Sequence, residues 1–139
     1  MPKASGTYLS FDFGTKKIGV AVGQTLTKTA TPLPKISAKN PSQVWEHIAK
    51  LIQEWQPIAL VVGLPLNMDG TEQRITTLTR TFINELKNRF QKEVYEVDER
   101  LTTRAARSDI FDSGGYKALQ KNDIDSIAAK IILESWLGE

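Results

Sequence analysis

Three acidic residues stand where surface solvation alone does not account for them. Asp12 lies between Phe11 and Phe13 in SFDFGTKKIGVAVG (10–23), a stretch that otherwise reads as two strands joined by a turn. A carboxylate on a buried strand must be neutralised, hydrogen-bonded or bound to a metal. Glu99 ends a strand in VYEVDERLTT, and Asp125 opens the last helix in KNDIDSIAAKIILESW. Each has an ordinary reading. Asp12 could cap its turn, and Glu99 could pair with Arg100, Arg104 or a lysine. Asp125 could be a first-turn acid favoured by the helix dipole, with Asp123 as N-cap. The set is more telling than any member. If the first strand lies beside the parallel strands, the three acids can converge. Their mutual repulsion is then relieved by Mg²⁺ or Mn²⁺, which prefer oxygen ligands. Two such ions roughly 4 Å apart are a standard device for in-line hydrolysis of phosphodiesters by water.

Basic and amide side chains near these acids are candidates to hold phosphates. Lys16 and Lys17 follow Asp12 in the turn. Arg100 and Arg104 are four apart and share a face if a helix begins there, with Arg107 extending the stripe. Lys117 and Lys121 precede the last helix. Asn67, in the turn GLPLN, could bond a phosphate or hold the turn itself. Thr102 and Thr103 are better read as helix caps. His47 is the only histidine and sits in mid-helix, so a Ser-His-Asp triad is improbable. With no cysteine, thiolate chemistry, disulfides and Cys-ligated zinc are excluded. Trp45, Trp55 and Trp136 fall at helical spacing and read as core or interface.

The elements that must position these residues follow from periodicity. Thr7–Phe13, Ile18–Val22 and Thr29–Ile36 read as a three-stranded meander. Pro32 and Pro34 mark the third strand as an edge or irregular strand. Asn40 is a plausible N-cap with Pro41 in the first helical turn. Val44, Ile48, Leu51, Ile52 and Trp55 then share one helical face. Pro57 stops that helix, and Ile58–Val62 is a continuous apolar run suited to a strand covered on both faces. A helix over 71–90 buries Ile75, Leu78, Phe82, Ile83, Leu86 and Phe90, and Val94–Asp98 is a short fifth strand. Helices near Thr102–Phe111 and Ile124–Leu137 complete the order β-β-β-α-β-α-β-α-α. The expected fold is α/β, a five-stranded mixed sheet of three antiparallel and two parallel strands flanked by helices.

The 139 residues read as one domain, 1–139, without repeats or linkers. A net charge of +2 permits a nucleic-acid partner without demanding one. The N-terminus MPKASGTY lacks the apolar core of a signal peptide, and no apolar run approaches the ~18 residues of a membrane span, so no membrane partner is expected. The absence of cysteine fits the cytosol.

Four motifs in order resemble the YqgF/RuvX family of the ribonuclease H-like superfamily over nearly the whole chain. They are FDFGTKKIGVAVG (11–23), VVGLPLNMDGTE (61–72), VDERLTT (97–103) and DIDSIAAKIILESWL (123–137). The resemblance implies a ribonuclease H-like fold with acids on the first strand, the fifth strand and the last helix, here Asp12, Glu99 and Asp125. It implies a cytoplasmic bacterial nuclease linked to maturation of the 5′ end of 16S ribosomal RNA precursor, and earlier to branched DNA. Two divalent ions, Mg²⁺ or Mn²⁺, are then expected, with nucleic acid and ribosomal particles as partners and a monomer or homodimer as the working form. In one departure, Gly23, Gln24 and Thr25 stand where relatives often carry an acidic pair. Asp69 or Asp98 could share the metal site, although strand alternation puts Asp98 and Glu99 on opposite faces. Two rival readings remain: the phosphate loop of actin-like ATPases, against which the length argues, and a non-catalytic RNA-binding assembly factor.

Overall fold

The computed structural model describes residues 3–101 and 126–139. The meander is β1 (Thr7–Asp12), β2 (Lys17–Gln24) and β3 (Thr29–Ser37), followed by α1 (Pro41–Trp55), β4 (Ala59–Leu64), α2 (Arg74–Phe90) and β5 (Val94–Asp98). Glu99–Leu101 form a 3₁₀ turn, and α3 spans Ile127–Leu137. The expected helix near Thr102–Phe111, together with Arg104, Arg107, Lys117, Lys121, Asp123 and Asp125, lies outside the described residues.

The five strands form one sheet in the order β3-β2-β1-β4-β5. β1 and β2, and β2 and β3, pair antiparallel, whereas β4 runs parallel to both β1 and β5. The carboxyl ends of β1, β4 and β5 therefore meet at one end of the sheet. Strand alternation sorts the side chains into two layers. Leu9, Phe11, Val20, Leu60 and Val62 pack on α1 and α2 through Ile48, Phe82 and Leu86. Tyr8, Ala21, Val61 and Val97 pack on α3 through Ala129, Ile132, Leu133 and Trp136. Covering on both faces explains why every residue of β4 is buried.

β3 is an edge strand, as its prolines require, and its ladder with β2 shifts register between Ile18 and Val20. Pro34 has no N–H to give to the ladder there. The Ser126 hydroxyl fills the break: it accepts from the Val20 N–H at 3.0 Å and donates to the Leu33 carbonyl at 2.5 Å. One turn on, the buried Ser10 hydroxyl donates to the Ala129 carbonyl at 2.7 Å. Further along, Trp136 packs on Tyr8 with ring centroids 4.8 Å apart. α3 thus runs backwards along β1, and its N-terminus faces the sheet end where Asp12 lies.

Several element boundaries differ from expectation. β1 stops at Asp12 and β2 is longer at both ends. β4 starts later and reaches Leu64, because its pairing with β5 runs on to Leu64 opposite Asp98. α2 begins at Arg74, and Thr76 and Thr79 are buried on it where Ile75 and Leu78 are only half-buried. The Thr76 hydroxyl accepts from the Gln73 N–H at 3.0 Å and donates to the Pro65 carbonyl. That bond ties the helix start to the end of β4 and turns the threonine face inward.

Candidate active site

Asp12 is the last residue of β1 and follows Tyr8 and Ser10 on the side that faces α3. Its neighbour on β2 is Gly19. The turn after it needs Gly14, because a Cβ there would lie 2.6 Å from the Lys17 carbonyl oxygen. On β5, Val97 faces α3 and Asp98 faces the other way, so Glu99 returns to the Asp12 side. β4 lies between the two acids, and Gly63 is what lets them meet. A Cβ on Gly63 would sit 2.6 Å from Glu99 Oε1, 3.0 Å from Glu99 Cγ and 2.4 Å from Ile132 Cδ1. The Glu99 side chain crosses β4 through the space that this glycine leaves.

The crossing ends in a hydrogen bond between the two carboxyls. Burial pushes Asp12 above the usual carboxylate range, and the bond from Glu99 opposes that rise. Glu99 is pushed up to about 7, first by burial, then by the charge and hydrogen bond of Asp12 and by the charge of Asp98. Two acids sharing one proton near neutrality is what close carboxylates do in a partly dry site.

The other predicted residues fall into two groups. Asp98 and Asp69 do not join the pair. Asp98 is held below the usual carboxylate range by Arg100. Asp69 is held low by accepting from the Thr71 hydroxyl at 2.6 Å and the Thr71 N–H at 3.0 Å. Asn67 holds the turn: its amide donates to the Thr71 hydroxyl at 2.9 Å. Arg100 is engaged by Asp98 and by the Met68 carbonyl. Lys16 is exposed in the turn that follows Asp12. Lys17, also exposed, is not part of the turn as expected but the first residue of β2, where it pairs with Ser37 of β3. Among the described residues no third acid or histidine joins Asp12 and Glu99 as a metal-binding group. Gly63 was missed from sequence, although a glycine inside the apolar run IALVVGL is a known sign of close approach by another group.

The donor set is two carboxyls, one reaching the other through a gap that any Cβ would fill. Such oxygens suit a hard divalent cation in place of the shared proton. Asp12 and Glu99 would hold it.

A mixed sheet in this order, with acids converging at its carboxyl end under a C-terminal helix, defines a ribonuclease H-like domain. The solved structures agree. The chain superposes on Thermus thermophilus RuvC in complex with Holliday junction substrate with a TM-score of 0.60 at 13% identity, covering 96% of each chain. It superposes on the fowlpox virus resolvase bound to Holliday junction DNA with a TM-score of 0.58 at 14% identity, covering 95% of this chain and 97% of that one. The chain belongs to the RuvX family, whose model, described as Holliday junction resolvase, matches residues 6–139. It is 55% identical to a protein of Aeromonas salmonicida named "Putative pre-16S rRNA nuclease", over 98% of this chain and 97% of that one. An Escherichia coli O157:H7 protein of the same name is 58% identical over 95% of this chain and 96% of that one.

Proposed function

We propose that this chain is a metal-dependent nuclease that hydrolyses phosphodiester bonds at the 5′ end of pre-16S ribosomal RNA. It would act in the cytoplasm as one ribonuclease H-like domain spanning residues 1–139. The observation that carries the reading is the Asp12–Glu99 pair, two acids driven together across Gly63 at the carboxyl end of the sheet. The shared name of the close relatives supports the RNA assignment. Among the described residues no helix is long and apolar enough to cross a membrane.

Asp12 and Glu99 would hold the cation with their carboxylate oxygens, and Asp125, one residue before Ser126, would be the third ligand. Mg²⁺ or Mn²⁺ ions, two of them, would supply activation of water and stabilisation of the departing oxygen. Ile132 of α3 packs over Gly63 beside Glu99, and the burial of the pair strengthens its electrostatics. Lys16 in the exposed turn and Lys17 at the start of β2 would grip phosphates beside Asp12, and Arg104 and Lys121 are further candidates for that grip. Branched DNA is the second reading, favoured by the family description and the junction-bound resolvases. A two-fold dimer would suit that substrate.

The test is cleavage of labelled RNA carrying a precursor 5′ leader, beside a four-way junction DNA, with Mg²⁺ or Mn²⁺. Wild type should cut the RNA only with metal, and Asp12→Asn should stop cutting while leaving RNA binding. Cutting of junction DNA alone would transfer the assignment to the second reading. Binding without cutting by the wild type would contradict both.

A further inference from the structure

Asp98 and Arg100 flank Glu99, and their contacts are directional. The Asp98 carboxylate accepts from the Arg100 backbone N–H at 3.0 Å, from Nε at 3.1 Å to each oxygen, and from Nη2 at 2.6 Å. The bond to the backbone N–H spans Glu99 and closes an Asx turn around it, which restrains the torsions of the residue enclosed. The fork of the guanidinium locks that turn, a geometry that a lysine cannot reproduce.

The same guanidinium reaches a second element. Its Nη1 donates to the Met68 carbonyl at 3.2 Å, in the loop between β4 and α2. The loop accommodates it at Gly70, where φ is +90° and a Cβ would lie 3.2 Å from Nη1. The loop is closed on itself by Asn67 N–H to the Thr71 carbonyl and Gly70 N–H to the Asn67 carbonyl, each 2.9 Å. Arg100 therefore fastens the turn that carries Glu99 to the loop that follows Gly63.

We infer that Asp98 and Arg100 are positioning residues that hold Glu99 across Gly63 against Asp12, with Arg100 latching the 65–73 loop at the rim of the site. This rests on the reading of Asp12 and Glu99 as the cation-binding pair. Glu99 has several rotatable bonds and sits one residue beyond the strand ladder, so the ladder does not fix its direction. The Asx turn does. Arg100 then acts through Glu99, in contrast to the phosphate contact that its sequence position suggests.

The test uses the full chain and three readouts. Mn²⁺ affinity is followed by electron paramagnetic resonance, exchange of the Gly70 and Thr71 amides by NMR, and nucleic-acid affinity as a function of salt. The wild type and Asp12→Asn come first; if the wild type binds no Mn²⁺ through Asp12, the underlying reading falls before any latch variant is made. Asp98→Ala and Arg100→Gln are each expected to weaken Mn²⁺ about tenfold, the scale of outer-sphere changes at metal sites. The double variant should be no worse than the poorer single, and Arg100→Lys should not rescue. The two loop amides should exchange faster in Arg100→Gln. A different result overturns the proposal: Arg100→Gln with unchanged Mn²⁺ affinity and loop exchange, but weaker nucleic-acid binding and a salt slope reduced by about 0.7–0.9, marks a phosphate contact. A lowered urea midpoint with all three readouts unchanged marks a purely structural pair and also overturns it.

Discussion

Asp98 and Glu99 are adjacent in sequence and opposite in electrostatics. Asp98 faces Arg100 and is held in its charged form. Glu99 faces another acid and is pushed up to about 7. A chain under selection for stability alone has no reason to drive Glu99 across a strand and against Asp12. Neutralising a carboxylate with an arginine is the simple solution, and the neighbouring residue uses it. The difference separates a carboxylate held in its charged form by an arginine from one whose proton is held by burial and a neighbouring acid.

The strongest way to break this contrast is at Asp12. Asp12→Asn should abolish Asp12-dependent Mn²⁺ binding and lower cleavage by more than the ~10–100-fold of an outer-sphere change, read by metal titration and by RNA cutting. Gly63→Ala comes next. Its methyl overlaps the Glu99 side chain and Ile132 Cδ1, so the folded state should lose about 1–3 kcal/mol from overpacking and Mn²⁺ affinity should fall as Glu99 is displaced. Adding Ile132→Val should recover much of the urea midpoint and none of the metal affinity, which separates the two clashes.

Ser126→Ala acts further out. It leaves the Val20 N–H and the Leu33 carbonyl without their bridging hydroxyl, and should cost about 1–3 kcal/mol in chemical denaturation. The smallest expected effect is the pH dependence of the metal-free protein. Glu99 is raised in the folded state from the ordinary 4.5 to about 7, so the folded protein binds the extra proton between those values. Its contribution is fully present below about 4.5 and lost as pH rises through 7, on the order of 1 kcal/mol after solvent screening. Asp98, held low, has the opposite sign: its contribution is present above its ordinary range and is lost on acidification. Glu99→Gln should flatten the denaturation midpoint between pH 5 and 7, whereas Asp98→Asn should flatten only the acid limb.

Much of this was legible because patterns with one physical cause are legible. Asn40 followed by Pro41 announced α1, and its side chain accepts from the Ser42 N–H at 3.1 Å as a cap should. The prolines of β3 announced an edge. Asp12 was conspicuous because a strand flanked by phenylalanines leaves a carboxylate few explanations. What depended on another segment was harder to read. The threonine face of α2 follows from a bond to Pro65, which lies beyond the helix at the end of β4 and is not visible in the helix's own periodicity. Asn67, Asp69 and Arg100 all looked available to substrate or metal, and their partners Thr71, Asp98 and Met68 become visible only when the turns close. Gly63 carried a signal in its own strand, but its purpose depends on Glu99 arriving from β5. Asp125, Arg104 and Lys121 lie outside the described residues; Asp125 stands on the sequence resemblance, and Arg104 and Lys121 on their charge and their place in the sequence near the acids.

The most direct measurement is the titration of the Glu99 side-chain carboxyl by ¹³C NMR, without metal and with saturating Mg²⁺. A midpoint near 7 that Mg²⁺ drives below the ordinary glutamate range is the expected result. A midpoint near 4.5 that is indifferent to Mg²⁺ would contradict the idea that Asp12 and Glu99 are held together to receive a cation.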